Sequence, residues 1–172
     1  VFDIAHDNGL KTAFYAQKPK FAYLSRSWNK TNGAEDSTGP DNGKAKVDDA
    51  FAGDADEIVR KASTQISDQD TDFVFLHLSG TDAAGHAHGW LSDQYLTAFL
   101  EIDRHLGTLM KTAEGSERPV SFVITSDHGG AAGQTRHKLA PEVANARIPF
   151  ITFGDSIAAG KDLYSLNPGR ID

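Results

Sequence analysis

The chain has 172 residues, of which 39% are hydrophobic and 24% charged, with a formal net charge of −7. That length suits one domain with a real core, and the acidic balance disfavours nucleic acid polymers and anionic membranes as partners. There is no cysteine, which excludes disulfides and thiolate metal sites, and no apolar run approaches the roughly 18 residues of a membrane span.

The opening "VFDIAHDNG" reads as the end of a helix. Phe2 and Ala5 share a face, and Asn8-Gly9 is a left-handed stop. Because the chain starts at Val1 with no capping residue before this helix, the natural chain is expected to begin earlier, which makes this a fragment or a processed piece. "KTAFYAQ" (11–17) reads as a short strand. Residues 25–46 are polar and turn-rich, an irregular connection of the kind that compact domains use for function or leave mobile. Within it, Asn29-Lys30-Thr31 matches a glycosylation acceptor, a triplet common by chance.

"ADEIVRKASTQIS" predicts a helix, with Ala55, Ile58, Val59, Ala62 and Ile66 at helical spacing. "DFVFLHLSG" follows, an apolar run of strand length that suits burial on both faces. A long helix then places Leu96, Phe99, Leu100, Ile102, Leu106, Leu109 and Met110 at helical intervals, with Ser92 to cap its start and Gly115 its end. "VSFVITSD" predicts another buried strand. "IPFITFG" (148–154) predicts a further one, with Pro149 at its beginning, where a missing amide donor is tolerable. Strands alternating with helices imply an α/β layered fold around a mostly parallel sheet flanked by helices. In such sheets ligands gather beyond the carboxyl ends of the strands. Both "SGTDAAGHAHG" and "SDHGG" lie directly after strands.

Those two segments carry the chemistry. Asp82 and His86 are four residues apart, so on one helical turn their side chains point the same way. Carboxylate oxygen and neutral imidazole nitrogen are good ligands for a borderline divalent cation. Neighbours on a strand alternate faces, so Asp127 and His128 aim together only if the glycine-rich turn after them twists the backbone. His137, in "GQTRHK", belongs to a loop near the same rim. Five such residues exceed what one tetrahedral site with an open position takes. They fit two sites better, and catalytic metals often form pairs about 3.5–4 Å apart that clamp the attacking and leaving oxygens of a phosphoryl displacement. A net negative chain is compatible with a phosphate substrate, because bound cations reverse the local field.

Other candidates carry less. His77 lies within a strand and reads as a core histidine. His88 reads as a supporting group or a rival to His86. His105 reads as solvated on the polar face of the long helix, and Arg136 as a surface arginine. There is no G-x-S-x-G elbow, no H-E-x-x-H and no phosphate-loop lysine motif. Ser79 and Thr81 do not sit on such an elbow.

With D-x-x-G-H-x-x-G-W at 82–90, S-D-H-G-G at 126–130 and a later histidine, the chain resembles the alkaline phosphatase superfamily. The resemblance is to its type I phosphodiesterase/nucleotide pyrophosphatase branch. It runs through "GLKTAFYAQKPKF", "DFVFLHLSGTDAAGHAHGW", "YLTAFLEIDRHLG", "VSFVITSDHGGAAGQTRH" and "IPFITFG", and is weakest over 25–50. It implies an alkaline-phosphatase-like fold, of which residues 1–172 are the C-terminal part with the missing N-terminal part of the same domain as natural partner, and two divalent metal ions of the zinc type. Asp82, His86 and His137 would hold one ion. Asp127 and His128 would hold the other with an aspartate from nearer the family's N-terminus. A Thr or Ser nucleophile from that same N-terminal part, expected upstream of Val1, would attack phosphorus in a phosphate-ester small molecule. The 172-residue chain by itself is therefore expected to be weakly active or inactive. Sulfatase, phosphonate hydrolase or mutase chemistry, and a non-catalytic metal-binding module, remain the alternatives.

Overall fold

The computed structural model describes residues 1–34, 43–137 and 143–166. The elements are α1 (Phe2–Asp7), β1 (Thr12–Ala16), α2 (Ala22–Ser27), β2 (Asp49–Ala52), α3 (Ala55–Asp68), β3 (Phe73–His77), α4 (Gly80–His88), α5 (Asp93–Glu114), β4 (Ser121–Thr125), α6 (Val143–Ala146), β5 (Phe150–Gly154) and α7 (Leu163–Leu166). The protein is mixed α/β, with a three-strand parallel sheet flanked by helices. It divides into two compact units. The first is Val1–Ser79 with Glu101–Ser116; the second is Gly80–Leu100 with Glu117–Asp172.

The first unit is built on the sheet β2-β1-β3, in which β1 pairs in parallel with both neighbours. The central strand is the buried one: all five residues of β1 are shielded from solvent. An aromatic cluster covers one side, with the Phe2 ring edge-on to Phe14 at 5.8 Å and to Phe73 at 5.4 Å. Helix α3 follows a β strand and packs on β1 and β3 through Ile58, Val59 and Ala62, the apolar stripe read from spacing. Its start is set by a capping box: the Asp54 carboxylate accepts from the Glu57 amide at 2.9 Å, and Glu57 answers on the Asp54 amide. The reciprocal bonds satisfy two of the donors that a helix start leaves open.

Several expectations change here. Strand β3 is not covered on both faces, since Phe75 is 43% exposed. It lies at the edge of its sheet, and an apolar run reports only that no polar group is present, not that both faces are covered. Strand β2 falls just beyond the segment read as irregular, and its short "DAFA" carries too little alternation to announce it. Part of the 25–46 segment, residues 35–42, lies outside the described residues.

His105 is buried, at 3% exposure, rather than solvated. It lies four residues before the buried Leu109 and so shares its face. Its polarity is met by charge: Arg104 Nη2 donates to Asp56 Oδ1 at 3.1 Å, and His105 Nδ1 lies 3.9 Å from the same oxygen.

In the second unit, β4 and β5 pair antiparallel, and the opposed Phe122 and Phe153 rings stack at 4.9 Å. Strand β4 alternates exposed and half-buried residues, with Val123 62% exposed, so it too is less buried than its apolar run implied. Pro149 immediately precedes β5, as its missing donor requires. Helix α5 is capped at its start by Ser92, whose Oγ accepts from the Tyr95 amide at 3.2 Å, and ends at Glu114, one residue before Gly115. No helix among the described residues is long and apolar enough to cross a membrane.

Candidate metal centre

The second unit holds the predicted ligands. Helix α4 carries Asp82 in its first turn and His86 in its last. The one-turn separation gives His86 Nε2 to Asp82 Oδ1 at 3.3 Å. Beyond β4, the turn at Gly129 and Gly130 brings His128 back to the same carboxylate: its Nε2 lies 3.5 Å from Asp82 Oδ1. His137 completes the group, its ring stacked on His128 with centroids 3.6 Å apart and planes at 15°. Asp82, His128 and His137 each offer a ligand atom within 4.8 Å of the others. Asp127 sits at the margin. Its Oδ1 is 3.7 Å from His128 Nε2, and its side chain is 79% exposed. The structure thus gathers Asp82, His86, His128 and His137 closely, with Asp127 beside them. Its tightest trio cuts across the division into two ligand sets that the resemblance implies.

Three backbone hydrogen bonds bring the loops together. Trp90 N–H donates to the Gln134 carbonyl at 3.0 Å, and Gly133 N–H donates to the Trp90 carbonyl at 2.8 Å. Ahead of Trp90, Gly89 takes a φ of +92°, which an L side chain rarely adopts, to turn the chain back toward the second loop. At the other end, Gly129 N–H donates to the Asn145 carbonyl at 2.8 Å. A Cβ on Gly129 would stand 2.1 Å from the Ala144 carbonyl oxygen, so the backbone passes where only glycine fits.

The imidazoles are oriented from behind. His86 Nδ1 is 2.8 Å from the Thr135 carbonyl oxygen, and His128 Nδ1 is 2.8 Å from the Gly129 carbonyl oxygen. A carbonyl only accepts, so each Nδ1 must carry the proton. In the neutral ring Nε2 is then a bare lone pair, and in both residues it faces Asp82 Oδ1. Two nitrogen lone pairs and a carboxylate oxygen at such separations call for a cation or a proton among them. Fixing the tautomer through the far nitrogen is how metal-binding histidines are commonly held. His137 is kept below the ordinary imidazole range, first by partial desolvation and then by the neighbouring His128 and His86 rings, which outweigh the pull of Asp82 and Asp127. The neutral form so favoured is the one that ligates metals. Oxygen and nitrogen donors on this spacing, with no thiolate, fit a borderline divalent ion.

Trp90 closes the D-x-x-G-H-x-x-G-W motif and packs against the cluster. It is 4% exposed, and its ring lies edge-on to His86 at 5.1 Å and His137 at 5.7 Å. The glycines of both motifs make room for it: a Cβ on Gly85 would fall 2.7 Å from its Cε2, and one on Gly130 2.2 Å from its Cδ1. The signal available in the sequence was the pairing of "GHAHGW" with "SDHGG", in which each glycine implies a close neighbour.

The family model for type I phosphodiesterase / nucleotide pyrophosphatase matches residues 2–168. The chain is similar to GPI ethanolamine phosphate transferase 1 of Mus musculus, 32% identical over 119 residues, covering 65% of this chain and 12% of that protein. It is likewise similar to GPI ethanolamine phosphate transferase 1 of Candida glabrata, 33% identical over 88 residues, covering 50% of this chain and 9% of that protein. Ectonucleotide pyrophosphatase/phosphodiesterase family member 1 of Mus musculus is 28% identical over 85 residues, covering 45% of this chain and 9% of that protein. The chain therefore spans only 9% to 12% of the length of these relatives. With the family model matched almost from end to end, the chain belongs to the type I phosphodiesterase / nucleotide pyrophosphatase family.

Proposed function

We propose that this chain carries the metal-binding part of a divalent-metal-dependent hydrolase of phosphate esters, with phosphodiesters as the substrate class. One observation carries the reading: His86 and His128 each have Nδ1 against a backbone carbonyl and turn Nε2 onto Asp82 Oδ1, at 3.3 and 3.5 Å. Zinc is the ion that this oxygen and nitrogen donor set suits best. Asp82, His86, His128 and His137 would hold it, and Asp127 would help to hold a second ion. Such ions, when bound, supply Lewis acidity toward the non-bridging phosphate oxygens and lower the pKa of the attacking group. The chain's own contribution is orientation. Thr135 and Gly129 fix two imidazoles through their carbonyls, and the buried Trp90 ring packs against His86 and His137.

The test is zinc uptake by this chain, together with turnover of bis(4-nitrophenyl) phosphate, before and after chelation, by a chain extended upstream of Val1 to include the nucleophile. Stoichiometric zinc that is lost in Asp82→Asn, with turnover abolished by chelation and restored by zinc, is expected. Full turnover in the chelated protein would defeat the proposal.

The ethanolamine phosphate transferases among the relatives favour a second reading, in which the phosphoryl group passes to an alcohol instead of water. The same cluster would serve, since only the acceptor differs. Labelled ethanolamine phosphate appearing on an added alcohol, in preference to release into water, would select it.

A further inference from the structure

Trp90 sits where it can set the spacing of the cluster, and this inference rests on the metal reading above. Its indole contacts three imidazoles from three stretches of chain: His86 at 5.1 Å, His137 at 5.7 Å and His128 at 6.4 Å between ring centroids. The indole is itself fixed from both sides by Gly85 of α4 and Gly130 of the second loop, at distances that leave no room for a methyl group. Its backbone is tied to that loop by hydrogen bonds in both directions, to Gln134 and from Gly133. Residue 90 is therefore bonded to one ligand-bearing loop and wedged against the other.

We propose that Trp90 is a positioning residue. It is a rigid aromatic spacer against which the His86, His128 and His137 imidazoles pack, and without it the rings splay away from the positions that converge on a divalent cation. The physical reason is packing. Imidazole side chains have free χ torsions, and each must lose that freedom before it ligates. A buried ring in contact with all three removes the alternatives in advance, which is preorganisation of the site by its supporting shell. Phenylalanine retains an aromatic face at nearly the same place. Alanine leaves a void beside all three ligands.

The experiment uses the 172-residue chain with zinc alone, its affinity measured by competition with a chromogenic chelator, and cobalt absorption as a signature of ligand geometry. Trp90→Ala is expected to weaken zinc binding by about 10- to 100-fold, the usual effect of removing a supporting partner, and to alter the cobalt spectrum. Trp90→Phe is expected to restore both, which a loss of folding alone would not predict. Gly130→Ala, which drives a methyl group into the indole, is expected to weaken zinc binding in the same direction as Trp90→Ala. Should Trp90→Ala fail to fold, emission decides. The chain has two tryptophans, so in a Trp28→Phe background Trp90 is the remaining indole, and its emission should change in step with zinc occupancy. A folded Trp90→Ala chain with wild-type zinc affinity and cobalt spectrum overturns the proposal, as does zinc binding with no change in Trp90 emission. Asp82→Asn separates the two ideas. If it loses zinc while Trp90→Ala keeps it, the spacer role falls and the metal reading stands. If it keeps zinc, the metal reading falls and takes the spacer role with it.

Discussion

The imidazoles of His128 and His137 lie face to face, 3.6 Å apart at 15°. Desolvation, and then the neighbouring His128 and His86 rings, hold His137 below the ordinary imidazole range, which favours its neutral form. His137→Ala removes one partner and one member of the tightest ligand trio. Zinc affinity measured by chelator competition is expected to fall by at least about tenfold, while the far-ultraviolet circular dichroism stays that of the parent chain.

The turn after β4 should tolerate no side chain at Gly129. An added Cβ meets two backbone oxygens, Ala144 at 2.1 Å and Arg147 at 2.6 Å, and neither is the end of a flexible group. Gly129→Ala is expected to cost about 1–3 kcal/mol, the usual range for overpacking. Urea denaturation of the variant against the parent chain measures it, and an unchanged midpoint would contradict the close approach.

Tyr15 gives the first unit an alkaline limit. The residue is fully buried, and its hydroxyl donates to Asp49 Oδ2 at 2.6 Å. Burial, and then the Asp49 hydrogen bond, push its pKa well above the ordinary value for a phenol. A group whose native pKa is raised holds its proton more tightly when folded. Its stabilisation is therefore complete below the unfolded value, near pH 10, and is lost as pH climbs through the native value. Stability of the parent chain should fall as pH rises above about 10. Tyr15→Phe should be less stable at neutral pH by about 1 kcal/mol and should show a flatter alkaline dependence. Denaturation midpoints across neutral and alkaline pH test both.

Helix α3 owes its boundary to Asp54. Asp54→Ala removes the acceptor for the Glu57 amide and is expected to cost about 1 kcal/mol. Asp54→Asn or Asp54→Ser should recover most of it, because either side chain still caps. Chemical denaturation of the three variants distinguishes loss of the cap from loss of charge.

Local pattern carried much of the architecture. The α3 stripe at Ile58, Val59 and Ala62, the Ser92 cap and the Pro149 strand start all follow from interactions within a few residues, and each stands where spacing put it. Burial was less legible. Phe75 and Val123 lie in runs as apolar as a core strand yet remain exposed, and His105, polar by type, is buried through its helix face and its neighbours Asp56 and Arg104. Residue type states what a side chain prefers, whereas exposure depends on what the rest of the chain brings to it.

The site divides along the same line. By itself the sequence determined that Asp82 and His86 share a helical turn, since a separation of four residues is a property of one helix. Only the tertiary structure decided that His128 and His137, 46 and 55 positions beyond Asp82 in the chain, turn onto that carboxylate. It also decided that Trp90 is the wedge between the two loops. That convergence depends on hydrogen bonds from Trp90 to Gln134 and from Gly133 to Trp90. Backbone bonds of this kind leave no mark in residue type, because every peptide unit can make them.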